Sequence, residues 1–298
     1  MQLRIATCRP LPEPDPDEEL LLAALRARGV AARMAAWNDP AEDWDAPGAT
    51  LIRSTWDYIH ALDAFVAWLD RAARSGPVWN PAEVVRANVH KRYLVELARR
   101  GVPTTPTWLV AHTDSRGIAG AARPADAIGQ VELERELDRR GFGDIVIKPA
   151  IGAASFRTRR FARSELAAAV EHLNGLLADR DALVQPYLAS VDGYGERALV
   201  WIDGEFTHAV RKTPRWSGED EAVSSALDVE PEERALGEIA LAPLARHLLY
   251  ARVDVARDER GQPLVMELEL VEPSLFLAQN PLALARLADA IARRSATR

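Results

Sequence analysis

Short apolar runs alternate with amphipathic stretches from the start of the chain. Leu3–Cys8 is apolar, stops at a proline-rich segment and predicts a strand. Asp17–Arg28 predicts a helix, with Asp17, Glu18 and Glu19 at its start, Arg26 and Arg28 at its end, and Gly29 as the stop. Val30–Trp37 and Ala49–Trp56 predict further strands. Ala61–Ala73 predicts an amphipathic helix carrying Leu62, Phe65, Trp68 and Leu69 on one side. Such alternation implies a small α/β unit with a parallel sheet.

Asn80–Pro81 punctuates the chain, and a domain boundary falls near it. A helix is expected over Val84–Arg100, a strand over Thr107–Ala111, an irregular connector over Ser115–Gly129 and a charged helix over Val131–Arg140. Asp144–Lys148 is a short apolar strand, and Phe156–Phe161 could return beside it as a hairpin. Ser164–Leu177 predicts a helix with Ser164 as N-cap. Strands over Ala182–Tyr187, Ala198–Ile202 and Glu205–Arg211 follow, the last two joined by the Asp203–Gly204 turn. Pro214–Val223 reads as a polar loop and Pro231–Leu249 as a long helix bent at Pro243. A second hairpin joins Tyr250–Ala256 to Pro263–Leu270, and Pro281–Arg294 is a closing amphipathic helix. Antiparallel hairpins mixed with helices make the later two-thirds α+β.

Composition narrows the function classes. With 48% hydrophobic and 27% charged residues the chain can build a sizeable core. A formal charge of −7 disfavours nucleic acid and anionic membranes as partners. Cys8 is the only cysteine, so an intrachain disulfide and any multi-cysteine metal site are excluded; a reducing cytoplasm fits best. Cys8 itself reads as a small buried residue. Ile5–Cys8 is cut short by Pro10–Asp17, so no signal peptide is expected, and no apolar run approaches the ~18 residues that span a bilayer. The P-loop, dinucleotide-binding, nucleophile-elbow and H-E-x-x-H signatures are missing. The six histidines do not cluster at ligand spacing and read as surface or packing residues.

The last hairpin carries the strongest chemistry. Alternate strand residues share a face, so Arg252 and Asp254 point one way, as do Glu267 and Glu269, and the hairpin brings the two faces together. Val253, Val255, Leu268 and Leu270 then face the core. Three adjacent carboxylates raise one another's pKa, which a divalent cation relieves. A polar solvent face with Arg252 bridging the acids satisfies the same spacing. Lys148 ends an apolar strand beside the small-residue loop Gly152–Ser155, an arrangement that reaches phosphates but also describes a lysine before a turn. Lys91 sits on a predicted helix, where a solvated lysine is the ordinary reading. Gln185-Pro-Tyr187-Leu188 could wall a flat heterocycle or simply end a strand.

Taken together and in this order, these features resemble the ATP-grasp superfamily from about Asn80 to Leu277. The separation of thirteen positions from Asp254 to Glu267 suits that superfamily's metal-binding hairpin. The resemblance implies an α/β and α+β fold: a small N-terminal α/β lobe over 1–83, a central lobe over 84–185 and a C-terminal lobe with the hairpin over 186–298, the last two clasping ATP. It implies that Lys91 and Lys148 contact phosphates, that Gly152–Ser155 close over them, and that Lys212 adds a further contact. Gln185, Tyr187 and Leu188 would take adenine and Glu196 the ribose. Asp254, Glu267 and Glu269 would hold one or two Mg²⁺ ions, and Arg252 would stabilise the transferring group. Glu269 stands where many relatives carry asparagine, and the loop is not glycine-rich. The implied enzyme is a carbon–nitrogen ligase that activates a carboxylate as an acyl phosphate for a nitrogen nucleophile.

The N-lobe motif Arg53-Ser-Thr-Trp-Asp57-Tyr58 could bind the carboxylate and amine of an amino-acid-like substrate, with Glu272-Pro-Ser274 adding a contact. Trp56 and Tyr58 are equally packing residues. These motifs resemble a small-ligand group near the glutathione synthetase-like branch, which includes a cyclo-ligase closing O-ureido-D-serine to D-cycloserine. An intermolecular ligase, joining two amino acids or acting on a protein tail, and a nucleotide-binding module without turnover are the alternatives. The complete acidic triad argues against the last. Family habit allows a homodimer.

Overall fold

The computed structural model describes residues 2–112, 127–212 and 223–296. Residues 115–126 of the expected connector and 214–222 of the polar loop lie outside them. Three four-stranded sheets organise the described residues.

The first sheet is parallel, in the order β2-β1-β3-β4, built from β1 (Leu3–Thr7), β2 (Ala32–Ala36), β3 (Ala49–Ser54) and β4 (Val78–Trp79). Helices α1 (Glu18–Arg26) and α2 (Leu62–Ser75) connect its strands. Glu18, Glu19 and Arg26 complement the α1 dipole as expected, and Gly29 leaves the helix at φ 72°. Asp17 does not cap α1 with its side chain; it is buried and accepts from the Ala278 amide at 3.1 Å. Helix α2 buries Phe65, Trp68 and Leu69 among Trp37 and Trp44, with edge-on rings 5.3 Å apart for Trp37 and Phe65.

The predicted Val84–Arg100 helix is two helices, α3 (Ala82–Asn88) and α4 (Tyr93–Arg99), and Lys91 sits in the break rather than on a helix. Tertiary hydrogen bonds take what helix continuation would have used. The Lys91 amide donates to the Ala150 carbonyl at 2.7 Å, and the Arg92 amide to His90 Nδ1 at 3.0 Å. His90 Nε2 in turn faces Asp181 at 3.1 Å.

The second sheet has the order β5-β8-β6-β7, from β5 (Trp108–Val110), β6 (Ile145–Pro149), β7 (Arg159–Phe161) and β8 (Ala182–Pro186), all antiparallel. Helices α5 (Gln130–Arg140) and α6 (Leu166–Leu177) cover it through Leu133, Leu137, Leu173 and Leu176. The expected N-cap Ser164 lies inside a short 3₁₀ turn, and Glu165 accepts from the Ala162 amide instead.

A one-turn helix α7 (Ser190–Gly193) leads to the third sheet, ordered β10-β9-β11-β12. Its strands are β9 (Glu196–Ile202), β10 (Glu205–Lys212), β11 (Tyr250–Arg257) and β12 (Pro263–Glu269). The Asp203–Gly204 turn has positive φ at both residues, as a tight hairpin requires. Helix α8 (Pro231–Leu241) stops short of the expected Leu249, because Pro243 cannot continue the ladder; a 3₁₀ turn at Ala245–His247 follows. Helix α9 (Pro281–Ala296) closes the chain against α1. No described helix is long and apolar enough to cross a membrane.

Two buried asparagines, Asn80 after β4 and Asn88 at the end of α3, tie this segment to the third sheet. Asn80 Nδ2 donates to the carbonyls of Tyr250 (2.8 Å) and Leu270 (2.9 Å), while its Oδ1 accepts from the Leu249 amide (2.7 Å). Asn88 spans Leu268 O and the Leu270 amide, both at 2.8 Å. Removing either side chain strands buried backbone groups. Asn80→Ala should lower unfolding free energy by about 3 kcal/mol in denaturant melts with an unchanged m-value. Asn80→Asp, which loses both donated bonds and buries a charge against two carbonyls, should cost more. Equal stability of Asn80→Ala and the parent would contradict the tie.

Candidate active site

The final hairpin forms in the expected register. Arg252 pairs with Glu269 and Asp254 with Glu267 across β11 and β12, with a bulge just beyond Asp254. Val253, Val255, Leu268 and Leu270 are buried on the other side. The polar face is the floor of a cleft rather than a solvent face.

Lysines enter this cleft from three elements. Lys148, at the end of β6, donates to Glu267 Oε1 at 2.6 Å. Lys91, in the α3–α4 break, lies 3.2 Å from Glu267 Oε2 and donates to the Gly152 carbonyl at 2.8 Å, which ties it to the small-residue loop. Lys212, ending β10, donates to Asp254 Oδ2 at 2.7 Å and pairs with Glu196. Arg252 holds Asp254 in a fork, at 2.8 and 2.9 Å, and also contacts Glu269.

Burial penalises every one of these charges, and pairing decides the outcome. For Glu267, burial is outweighed by Lys148 and Lys91, which hold it down to about 2. Burial is outweighed at Asp254 by Arg252 and Lys212, which keep it well below the usual carboxylate range. Lys91 and Lys212 are raised, because adjacent carboxylates overcome their burial. Glu196 is pushed up to about 7 by burial, against the pull of Lys212. Glu272 goes further, to about 8: burial is reinforced by Glu269, and Lys91 and Arg252 only partly offset it.

Every residue expected at the nucleotide lines this one cleft: Lys91, Lys148, Gly152, Ser155, Gln185, Tyr187, Leu188, Glu196 and Lys212, with Arg252, Asp254, Glu267 and Glu269 at its floor. Gln185 donates to Thr107 Oγ1 at 2.9 Å, and the Arg160 guanidinium stacks 3.6 Å over Tyr187. In the small-residue loop, Ala154 and Ser155 adopt φ 47° and 56°, the left-handed region that glycine usually fills. The substrate candidates divide. Tyr58 and Ser274 line the cleft, but Arg53, Ser54 and Asp57 do not.

Those three have other partners. Arg53 is buried, donates to the Pro273 carbonyl at 2.8 Å and lies 3.8 Å from Asp17. Ser54 donates to Thr7 Oγ1 at 2.9 Å. Asp57 accepts from Trp37 Nε1 and Asn38 Nδ2 at 2.6 and 2.7 Å. A strand-end polar run predicts exposure only where nothing packs over it, and here the 272–274 segment does. Sequence reasoning missed the Asp181–His90 support of Lys91 and the depth of Glu272. The acidic residue at 272, three positions after the hairpin acids, was the available signal for the second.

The donor set suits a hard cation in chemistry, since Asp254, Glu267 and Glu269 offer only oxygen. Among the described residues, however, no three carboxylates or imidazoles form a ready-made cage. Lysines and Arg252 occupy the acids instead. The residues therefore fit a cation that arrives with phosphate oxygens of its own, to which the lysines can turn.

Comparison with known proteins agrees with this geometry. Residues 3–80 match the family described as the D-cycloserine synthetase DcsG N-terminal domain. The cycloserine biosynthesis protein DcsG of Streptomyces lavendulae is 33% identical over 293 residues, covering 94% of each chain. A crystal structure of D-cycloserine synthetase DcsG superposes with a TM-score of 0.87 at 32% identity, over 99% of both chains. The ATP-grasp ligase PsnB, complexed with a minimal precursor, Mg and ADP, shares the fold at 19% identity and a TM-score of 0.62 over 98% of both chains. D-alanine–D-alanine ligase from Bacillus anthracis, complexed with ATP, shares it at 16% identity and a TM-score of 0.56, over 99% of this chain and 98% of that one.

The raised Glu272 carboxyl makes a stability prediction. Its folded-state value of about 8 exceeds the ordinary 4.5, so the folded chain holds the proton more tightly. Its contribution is complete below pH 4.5 and is lost as pH rises through 8, at up to about 1.4 kcal/mol per pH unit. Denaturant melts without ligands should show Glu272→Gln gaining on the parent between pH 5 and pH 8. Parallel pH curves would remove the buried carboxyl as their cause.

With a relative one-third identical along nearly its whole length, the chain belongs to the DcsG family of ATP-grasp ligases and is a carbon–nitrogen ligase.

Proposed function

We propose that the protein uses ATP and Mg²⁺ to activate the carboxylate of a small amino-acid-like substrate, and that the substrate's own nitrogen closes the ring. O-ureido-D-serine cyclising to D-cycloserine is the reaction that best fits the relatives named above. One observation carries the reading: the Arg252–Glu269 and Asp254–Glu267 pairs floor a cleft into which Lys91, Lys148 and Lys212 all point.

Such a site works by positioning and charge neutralisation. Mg²⁺, when bound, would neutralise phosphate charge and draw the γ-phosphorus toward attack. Asp254, Glu267 and Glu269 are the residues that would hold it, as one ion or two. Lys91, Lys148 and Lys212 exchange carboxylate partners for phosphate oxygens, which keeps each cation paired. The Gly152 carbonyl accepts from Lys91, which ties the lysine to the loop. The substrate carboxylate oxygen bonds to the γ-phosphorus as the bond to ADP breaks. The ureido nitrogen then bonds to the acyl carbon and gives up its proton, phosphate leaves with the carboxylate oxygen, and water takes the carbamoyl group off that nitrogen as carbamate, which falls to CO2 and ammonia. Arg252 is the cation positioned to meet the oxyanion that develops at the acyl carbon. No side-chain nucleophile is needed, and Cys8 is accordingly buried, with burial raising its thiol to about 11.

Incubation with MgATP and O-ureido-D-serine should release ADP and give a product with the mass of D-cycloserine. Asp254→Asn and Glu267→Gln should each cut ADP release at least 100-fold while keeping the parent's circular dichroism. Lys148→Ala should weaken ATP binding about tenfold or more by calorimetry. Full activity in either carboxylate variant would sink the metal assignment, and ADP release independent of any carboxylate would mark a simple ATPase.

A further inference from the structure

Within the cleft one carboxylate differs from the rest. Glu267, Asp254 and Glu269 each have a lysine or arginine within 4 Å. Glu272 is only 9% exposed and lines the same cleft, yet it forms no ion pair among the described residues. The nearby cations are committed elsewhere, Lys91 to Glu267 and Arg252 to Asp254 and Glu269. A buried carboxylate without a cation costs several kcal/mol if ionised.

The backbone beneath Glu272 is fixed from three directions. Trp56 Nε1 donates to the Glu272 carbonyl at 3.1 Å. Arg53 donates to the Pro273 carbonyl at 2.8 Å, and Arg252 to the Ser274 carbonyl at 3.3 Å. Three consecutive carbonyls are thus held by side chains from the N-lobe and from the hairpin. These bonds hold in place the backbone that carries Glu272. Burial in the cleft and the neighbouring Glu269 raise its carboxyl, the signature of an acid whose positive partner is missing from the chain itself.

We propose that Glu272 receives the ammonium group of the substrate, so that the cleft selects zwitterionic amino acids over plain carboxylates. The assignment rests on the ligase reading above and gives its substrate class a named determinant. Trp56 and Tyr58 line the cleft with it and offer the bound ligand aromatic surface. Arg252, which donates to the Ser274 carbonyl two residues beyond Glu272, supplies the cation for the reacting carboxylate at the same end of the cleft. Arg53, expected from its motif to touch substrate, acts one step removed, as a positioning residue for the loop that holds Glu272.

The test compares O-ureido-D-serine with its des-amino isostere, 3-(ureidooxy)propanoate. Both are titrated calorimetrically into the MgADP-bound parent, Glu272→Gln and Glu272→Asp, and ADP release from MgATP is followed with each. The parent should bind the zwitterion at least tenfold more tightly. Glu272→Gln should reduce that preference to under threefold with MgADP affinity unchanged, and Glu272→Asp should restore part of it. A preference that survives in Glu272→Gln, or a parent that binds both compounds alike, overturns the assignment. Loss of MgADP binding in Glu272→Gln would also overturn it, by making Glu272 part of the nucleotide site. Should Glu272→Gln not fold, the parent's own ratio and Glu272→Asp still decide. The ligase reading fails separately, if the parent releases no ADP with either carboxylate.

Discussion

Everything in the cleft depends on one constraint: ionised groups buried together must balance locally. Isolated burial of a carboxylate or ammonium costs several kcal/mol, and pairing offsets it only with close geometry. The hairpin supplies that geometry through register, because strand periodicity sets Arg252 against Glu269 and Asp254 against Glu267. A slip of one residue would turn all four side chains into the apolar core and bring Val253 and Leu268 into the cleft. The surrounding lysines then follow from the acids. Lys148, Lys91 and Lys212 come from three separate elements, and each ends on a carboxylate of this floor or beside it.

That dependence explains which parts of the site could be read from the sequence. Period-two alternation is a local signal, so Arg252, Asp254, Glu267 and Glu269 could be placed on one patch without any knowledge of the fold. The apolar strand before Lys148 and the Asp203–Gly204 turn are local in the same sense. Lys91 was different. The residues from Val84 to Arg100 carry a helical pattern throughout, but the helix is interrupted by bonds to Ala150 and Asp181, the latter 91 residues from His90. Helical propensity is a weak term that a few tertiary hydrogen bonds override.

Arg53 shows the opposite error. A strand-end arginine beside serine, aspartate and tyrosine suggested a substrate site, yet its partner is a carbonyl 220 residues away. Nothing local to residues 53–58 announces that a loop will cover them. Asn80 was legible only as a punctuation point in the chain, whereas in the fold it is a buried tie that satisfies backbone groups of Leu249, Tyr250 and Leu270 at the ends of β11 and β12. Long-range backbone satisfaction is invisible to pattern reading, because it depends on which chain segment arrives opposite.

The two ends of the cleft therefore solve different problems. On the proposed function, the end with Lys91, Lys148 and Lys212 would take a ligand of high charge, with cations whose partners can be exchanged. Mobility there is useful, since each lysine must leave a carboxylate to meet an oxygen. On the same reading the end at Glu272 would take a small solute with few contacts, and there three consecutive carbonyls are fixed by Trp56, Arg53 and Arg252. With so few atoms to recognise, selectivity has to come from a group that cannot relax toward a wrong ligand. An acid on a pinned loop with no ion-pair partner among the described residues would meet that requirement, because only a ligand that brings a cation gains an ion pair there. The same electrostatic rule that binds the hairpin acids to lysines thus becomes, where the chain withholds the cation, a means of choosing the substrate.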